Sequence, residues 1–101
     1  MPSNTTSSMF FYIYILESQK DGNLYIGYTN NLRRRLEEHK KGKNFSTKFR
    51  LPLQLIYFEG CKNMEDAKRR EHYLKTTQGR RFLGLRLQEY KCQKRAFGSG
   101  G

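Results

Sequence analysis

The stretch LYIGYTNNLRRRLEEH, residues 24–39, joins a strand signal directly to a helix signal. Its first six residues are mostly aliphatic or aromatic, and either of the two asparagines that follow is a favourable helix cap. The helix carries an apolar stripe that begins at Leu32, yet the stripe reaches His39 and has Arg35 on its flank. Because Arg35 and His39 are four residues apart, their side chains are neighbours on the helix surface.

Two further strands surround this stretch in the sequence. Residues 10–18, FFYIYILES, and residues 53–61, LQLIYFEGC, have the composition and length of strands, and Asp21-Gly22 predicts a hairpin turn after the first. Alternation then predicts two different faces on the hairpin. The aliphatic face would hold Phe11, Ile13, Ile15, Leu24 and Ile26, and the tyrosine face would hold Tyr12, Tyr14, Tyr25 and Gly27.

Three helices complete the predicted order ββαβαα. The first is expected to end near Lys41 at Gly42, the second to run from a cap at Asn63 to about Thr76, and the third from about Gln78 to Lys91. The fold class is therefore α/β (α+β), with a three-stranded, mainly antiparallel sheet flanked by helices. We assign residues 10–91 to one domain, 1–9 to a disordered leader and 92–101 to a flexible tail.

The charge of the chain points to a polyanionic partner. Twenty Lys and Arg stand against nine Asp and Glu, which gives a formal net charge of +11. Nucleic acid is the first candidate, an anionic membrane surface the second, and a basic surface that serves only solubility the third. No apolar run approaches the roughly eighteen residues of a membrane span. Cys61 and Cys92 lack a metal-site spacing, which favours a reducing, cytoplasmic location.

Polar residues occupy places where the helices should be apolar. In the second helix the stripe of Met64, Ala67 and Leu74 includes Glu71, and a core-facing carboxylate is costly unless it is paired or binds something. Structural explanations remain open, since Glu71 could pair with Arg35, and Arg35 could extend from the stripe to water. His39 could be an ordinary hydrogen-bonded histidine near a helix end, and the tyrosines Tyr14 and Tyr25 could be half-buried strand residues.

Taken together, these residues suggest phosphodiester chemistry. Such a reaction needs an activated water, stabilisation of charge on the phosphoryl oxygens and help for the leaving oxygen. Arg35 supplies a forked cationic donor, and a carboxylate can hold one divalent cation, Mg²⁺ or Mn²⁺. The general base stays open among the candidates Tyr25, Tyr14 and His39.

The pattern consists of Tyr12-Ile13-Tyr14, Tyr25-Ile26-Gly27, Arg35, His39 and Glu71. In this pattern the chain resembles the GIY-YIG nuclease family, and in particular its short stand-alone bacterial members. The resemblance implies that Tyr25 is the leading general base and that Tyr14 organises water or metal. It implies that Arg35 binds the scissile phosphate, that Glu71 holds the metal and that His39 positions the site or assists proton transfer. We expect Arg35 to lie beside Tyr25. Two departures are Tyr12 in place of the motif's first glycine and the lack of an asparagine after Glu71.

The expected function is a metal-dependent DNA endonuclease with structural or weak sequence preference, in DNA repair or processing. We expect no membrane and no obligate protein partner. Alternatives are a non-catalytic nucleic-acid-binding protein of the same fold and an adaptor for an acidic protein. Phe45 and Phe49 either stack on unpaired bases or anchor their loop. The backbone-binding residues are expected to be Arg33, Arg34, Lys40, Lys41, Lys43, Lys48 and Arg50.

Overall fold

The structure, a computed structural model, describes residues 9–44 and 47–93. Its strands form one three-stranded antiparallel sheet in the order β2-β1-β3, as the sequence predicts. The strands are β1 (Phe11–Ser18), β2 (Leu24–Thr29) and β3 (Leu53–Cys61). The helices are α1 (Leu32–Lys40), α2 (Met64–Leu74) and α3 (Thr77–Arg86), and a short 3₁₀ turn spans Lys48–Arg50. The order ββαβαα is therefore confirmed.

The central strand β1 is buried on both faces. Its residues Ile13, Tyr14, Ile15 and Leu16 are at most 3% exposed. Directly paired residues share a face in an antiparallel ladder, and Tyr14 pairs with Gly27. The predicted tyrosine face and aliphatic face of the hairpin are thus confirmed by the register.

The turn between β1 and β2 is built on the predicted Asp21-Gly22 pair. Gly22 has φ of 76°, a conformation that glycine adopts readily, and its N–H donates to the carbonyl oxygen of Ser18 at 2.7 Å. The Asp21 carboxylate accepts a hydrogen bond from the backbone N–H of Asn23 at 2.9 Å, which is the main cause that lowers the pKa of Asp21. These local bonds position the start of β2.

Helix α1 begins and ends at predicted residues and lies on the tyrosine face. The Asn31 side chain accepts a hydrogen bond from the N–H of Arg34 at 3.1 Å, so Asn31 is the cap. Gly42 follows the helix with φ of 74° and donates to the carbonyl oxygen of His39 at 3.0 Å. The His39 ring contacts the Tyr14 ring edge-on, with centroids 5.7 Å apart. This contact fixes which side of α1 faces the sheet.

Helix α2 lies on the other face of the sheet. Asn63 caps it, as predicted, by accepting from the N–H groups of Glu65 and Asp66 at 2.8 and 3.1 Å. Within the compact unit that ends at Glu71, Arg70 makes a bidentate pair with Glu59 of β3, at 2.9 and 3.0 Å. Glu59 pairs across the ladder with Ile13 and so belongs to the aliphatic face.

The second compact unit starts at His72 and contains α3. The Thr76 hydroxyl caps α3 by accepting from the N–H of Gly79 at 3.1 Å. The predicted third helix is interrupted: α3 ends at Arg86, Leu87 follows as its C-cap, and residues 88–93 are helical again. Leu83 and Leu87 are buried, whereas Leu85 between them is 70% exposed.

Two further sequence expectations concern the cysteines and membrane-spanning segments. Cys61 and Cys92 are free thiols. Within residues 9–44 and 47–93, no helix has the length and apolar character that crossing a membrane requires. Residues 1–8 of the expected leader and 94–101 of the expected tail lie outside the described residues.

Candidate active site

The candidate active site is built around the phenol of Tyr14. Its Oη accepts a hydrogen bond from Nε of Arg35 at 3.1 Å and lies 3.1 Å from Nε2 of His39. Gly27 makes room for this ring, because a Cβ at Gly27 would overlap Cζ and Oη of Tyr14. The central strand therefore holds a buried hydroxyl directly under the arginine and the histidine of α1.

His39 is fixed through both of its ring nitrogens. Nδ1 lies 2.9 Å from Oγ1 of Thr47, and the histidine is 5% exposed. Burial lowers the pKa of His39, and the positive charge of Arg35 lowers it further. The neutral ring is thus favoured at pH 7, with Nε2 able to accept from Tyr14 and Nδ1–H able to donate to Thr47.

Arg35 connects this buried pair to an open cavity. Its Nη1 donates to Oε1 of Glu38 at 3.1 Å, and its side chain is 37% exposed. The hydrogen bond to Tyr14 is the main cause that raises the pKa of Arg35, so its charge is permanent. The cavity has a volume of about 310 Å³. It is lined by Tyr28, Thr29, Asn30, Arg34, Arg35 and Glu38.

Tyr25 lies on the same face but has a different cationic partner. Its Oη accepts a hydrogen bond from Nε of Arg50 at 3.2 Å, and the same Nε lies 3.3 Å from Oδ2 of Asp21. The expected neighbour of Tyr25 was Arg35, but Arg35 hydrogen-bonds to Tyr14 instead. Tyr25 is paired with Leu16 and therefore lies two positions along the ladder from the Tyr14–Gly27 pair. This offset explains why Arg35 contacts Tyr14 and not Tyr25.

Glu71 is half-buried on α2, and residues of α2 contact the face opposite to Tyr14. Burial raises the pKa of Tyr28, and the charges of Glu65, Cys61 and Glu71 raise it further. Tyr28 also lines the cavity that contains Arg35. Tyr28 thus lies beside the cavity and within electrostatic range of Glu71.

All seven residues expected to bind the nucleic-acid backbone are exposed. Three of them also have partners: Arg34 pairs with Glu38 at 3.9 Å, Arg50 pairs with Asp21, and Lys48 places Nζ 5.0 Å from the ring centre of Phe49. Phe49 itself is 64% exposed. Phe45, the other loop phenylalanine, lies outside the described residues.

Three residues of the site were missed from the sequence. Glu38 follows Arg35 by three residues, so the usual helix spacing rule could have paired them. Tyr28 continues the YIG segment but carries no pattern of its own. Thr47 lies in an irregular loop, where no periodicity signals the hydrogen bond to His39.

The chain is similar to known proteins. A model of the GIY-YIG catalytic domain matches residues 10–83. A UPF0213 protein of Clostridium perfringens is 45% identical over 65 residues, which are 63% of this chain and 69% of that protein. A UPF0213 protein of Staphylococcus saprophyticus is 39% identical over 75 residues, which are 73% of this chain and 90% of that protein.

A solved structure is also similar. The solution NMR structure of a UPF0213 protein from Bacillus halodurans has 35% sequence identity and a TM-score of 0.48, and the match covers 74% of this chain and 82% of that one. The fold and the matched catalytic domain together define a small α+β domain of a nuclease class. The chain belongs to the GIY-YIG family.

Proposed function

We propose that this protein is an endonuclease that hydrolyses DNA phosphodiester bonds, with structural or weak sequence preference, in DNA repair or processing. The observation that supports this most strongly is the hydrogen-bonded set of Tyr14, Arg35 and His39 beside an open cavity. The buried tyrosine is fixed by hydrogen bonds to an arginine and a neutral histidine, and such a satisfied network is rigid. In a nuclease family, it fits the activation of a nucleophile beside a bound phosphate.

Arg35 is proposed to bind the scissile phosphate. Tyr14 and Glu38 hold its guanidinium in place, while its partial exposure lets it reach the cavity. A guanidinium that is positioned beforehand stabilises charge on the phosphoryl oxygens without having to reorganise during the reaction. Glu38 is then proposed as a positioning residue, because it holds the guanidinium of Arg35.

Tyr14 and His39 are proposed to provide the general base. Arg35 donates to Oη of Tyr14 at 3.1 Å, and neutral His39, with Nε2 3.1 Å from the same oxygen, can accept the phenolic proton. The structure thus favours Tyr14 over Tyr25, which the resemblance placed first. We propose that Tyr25, held by Arg50, helps to orient the strand.

Glu71 is proposed to hold one divalent ion, Mg²⁺ or Mn²⁺. Among residues 9–44 and 47–93, no group of three or more His, Cys, Asp or Glu side chains could hold a metal ion. The proposed ion is therefore one held by a single carboxylate, with water and substrate phosphate as its other ligands, an arrangement common for Mg²⁺. Such an ion would neutralise charge on the leaving oxygen.

A basic surface is proposed to bind the DNA backbone. The formal charge of +11 and the exposure of the expected basic residues favour salt-dependent binding with little base reading. The proposed backbone-binding residues are Arg33, Arg34, Lys40, Lys41, Lys43, Lys48 and Arg50.

Cleavage assays test the proposal. Single-stranded, duplex and branched DNA are incubated with Mg²⁺ or Mn²⁺ and the wild-type protein, Arg35→Ala or Glu71→Gln. Both variants should lose cleavage and keep salt-sensitive binding. Matched controls are Arg69→Ala, at an exposed arginine paired with Asp66, and Glu89→Gln, at an exposed glutamate. Full cleavage by Glu71→Gln would refute the metal assignment.

The second candidate is a nucleic-acid-binding protein without efficient turnover. The observation that favours it is the sequence after Glu71, which contains no asparagine, although many family enzymes carry one there. If pure wild-type protein binds DNA but cuts none of the three substrates with either ion, this candidate replaces the endonuclease.

A further inference from the structure

A second cavity lies on the tyrosine face, beside the first half of α1. Its volume is about 600 Å³, and it is open to solvent. Tyr12 and Phe58 form its aromatic side, and Leu32 and Leu36 of α1 form its aliphatic side. We call these four residues and the space between them the aromatic groove.

The aromatic groove presents ring surface to water. Phe58 is 52% exposed, and the ring of Tyr12 stands edge-on to it with centroids 6.3 Å apart. Gly60 permits this arrangement, because a Cβ there would lie 3.2 Å from Cε1 of Tyr12. Phe10 extends the aromatic surface, 6.4 Å from Tyr12 between centroids, and is 39% exposed. Exposed and clustered rings of this kind are typical of binding surfaces.

We propose that the aromatic groove binds one unpaired nucleobase of the substrate strand. This inference rests on the proposed function, because it takes a nucleic acid as the substrate, and it adds a preference for unpaired nucleotides. The flat faces of bases in a duplex are covered by their stacked neighbours. A base can therefore stack on Tyr12 and Phe58 only where the strand is unpaired, as in a single strand, flap or bulge.

The charges around the groove favour a nucleotide over an apolar peptide. Arg33 lines the groove, and Lys62 places Nζ 5.2 Å from the ring centre of Phe10. These cations suit the phosphates on either side of a stacked base, and an apolar peptide would not need them. Glu37 also lines the groove, and its carboxylate can accept from the amino group of a base while it repels phosphate. The sugar-phosphate backbone would then run on the Arg33 side.

The groove adjoins the candidate active site. Asn30 lines both the aromatic groove and the cavity that contains Arg35. Tyr12 and Tyr14 are two residues apart on the same face of β1. A strand with one base in the groove can therefore place a neighbouring phosphate at Arg35.

Binding assays without divalent ions test this inference separately from catalysis. Fluorescence anisotropy measures the Kd of the full chain in EDTA for three probes: a labelled single-stranded DNA decamer, the same decamer with abasic residues at its centre, and a hairpin duplex. The protein is wild type, Phe58→Leu or Phe58→Tyr. Leucine keeps an apolar side chain without a ring, and tyrosine keeps the ring.

The expected result is specific to both the base and the ring. Phe58→Leu should bind the normal decamer about tenfold more weakly than wild type does, because a stacking contact is lost. The abasic decamer and the hairpin should bind both proteins equally, and Phe58→Tyr should resemble wild type. In NMR spectra of wild type, the ring protons of Tyr12 and Phe58 should shift with the normal decamer and not with the abasic one.

Other results would overturn the inference. If Phe58→Leu weakens binding to normal and abasic decamers equally, or to neither, the groove does not bind a base. Ring shifts caused by an apolar peptide, and not by the decamer, would show a peptide as the occupant. If the wild type cleaves DNA but Phe58→Leu shows no base-dependent loss of binding, the endonuclease proposal stands and the groove proposal fails. If binding depends on the base but no DNA is cleaved, the endonuclease proposal fails and the groove proposal stands.

Discussion

Oη of Tyr14 on the central strand lies 3.1 Å from Nε of Arg35 on the first helix. This one hydrogen bond links a residue that is 3% exposed to a guanidinium that reaches an open cavity. The direction in which Arg35 points is thus set by the packing of α1 on the sheet. Changes that disturb the Tyr14 phenol should therefore alter activity even where the fold survives.

Tyr14→Phe removes the oxygen shared by Arg35 and His39. We expect the free energy of unfolding to fall by about 1–3 kcal/mol, because buried partners lose a hydrogen bond. Cleavage should fall at least about 100-fold, as expected for loss of a general base. Urea titration and a nuclease assay measure the two effects. Tyr73→Phe, at an exposed tyrosine, is the matched control, and an active Tyr14→Phe would exclude Tyr14 as the base.

Gly27→Ala should act through the same ring. A methyl group at Gly27 would overlap the Tyr14 phenol, which is too tightly held to move freely. We expect a loss of about 1–3 kcal/mol of stability, typical of overpacking, together with a loss of cleavage. Thermal unfolding gives the measurement.

Gly84→Ala is the control for Gly27→Ala. The nearest atom to a Cβ at Gly84 is Nζ of Lys91, at 3.7 Å, so the methyl group fits. Since Gly84 lies inside α3, alanine there should raise stability by about 0.5–1 kcal/mol. Equal effects of the two substitutions would contradict the role given to Gly27.

Stability should depend on pH through His39. Its pKa in the folded protein lies below the ordinary value of 6.5, because the ring is buried beside Arg35. The unfolded chain therefore takes up a proton first as the pH falls below 6.5, and folding stability decreases until the folded pKa is passed. Urea titrations at a series of pH values should show this decrease.

Two substitutions isolate the contribution of His39. His39→Gln should remove its part of the pH dependence, while His72→Gln, at an exposed histidine, should keep it. The groups that face His39 are Tyr14, Thr47, Arg35 and Glu38. Identical pH profiles for the wild type and His39→Gln would show that these groups do not hold the ring neutral.

Tyr25 and Arg50 distinguish the two candidate bases. If Tyr14 is the base, Tyr25→Phe should cleave about tenfold faster than Tyr14→Phe. This difference lies within the range of general-base effects. Arg50→Ala should mainly weaken binding at low salt, because a cation that is proposed to contact the DNA backbone is lost. Single-turnover kinetics and binding isotherms separate these effects. A greater loss of the chemical step in Tyr25→Phe would return the role of base to Tyr25.

Local sequence signals predicted the fold well. Asn31, Gly42 and Asn63 mark helix ends through bonds with residues at most three positions away, so their effect is visible in the sequence. The third helix was predicted less well. Its interruption at Leu87 and the exposure of Leu85 depend on packing, which a periodic pattern does not encode.

Sequence patterns indicated which candidate residues share a face of the sheet, but not which of them are in contact. Alternation correctly put Tyr14 and Tyr25 on one face, but it could not show which of them Arg35 would meet. That choice depends on the register across the hairpin and on the position of α1 along the strands. Thr47 was missed for a related reason, since its contact with His39 crosses a loop without periodic structure.

The double-sided burial of β1 determines where this chain can change length. Inserting one residue into β1 between Tyr14 and Leu16 would exchange the directions of Ile13 and Tyr14 and send the phenol toward α2. Inserting residues into the turn at 19–23 would leave the Tyr14–Gly27 pairing unchanged. Natural variants should therefore differ in the number of residues between Tyr14 and Tyr25, while the distance along β1 from Tyr12 to Leu16 stays constant.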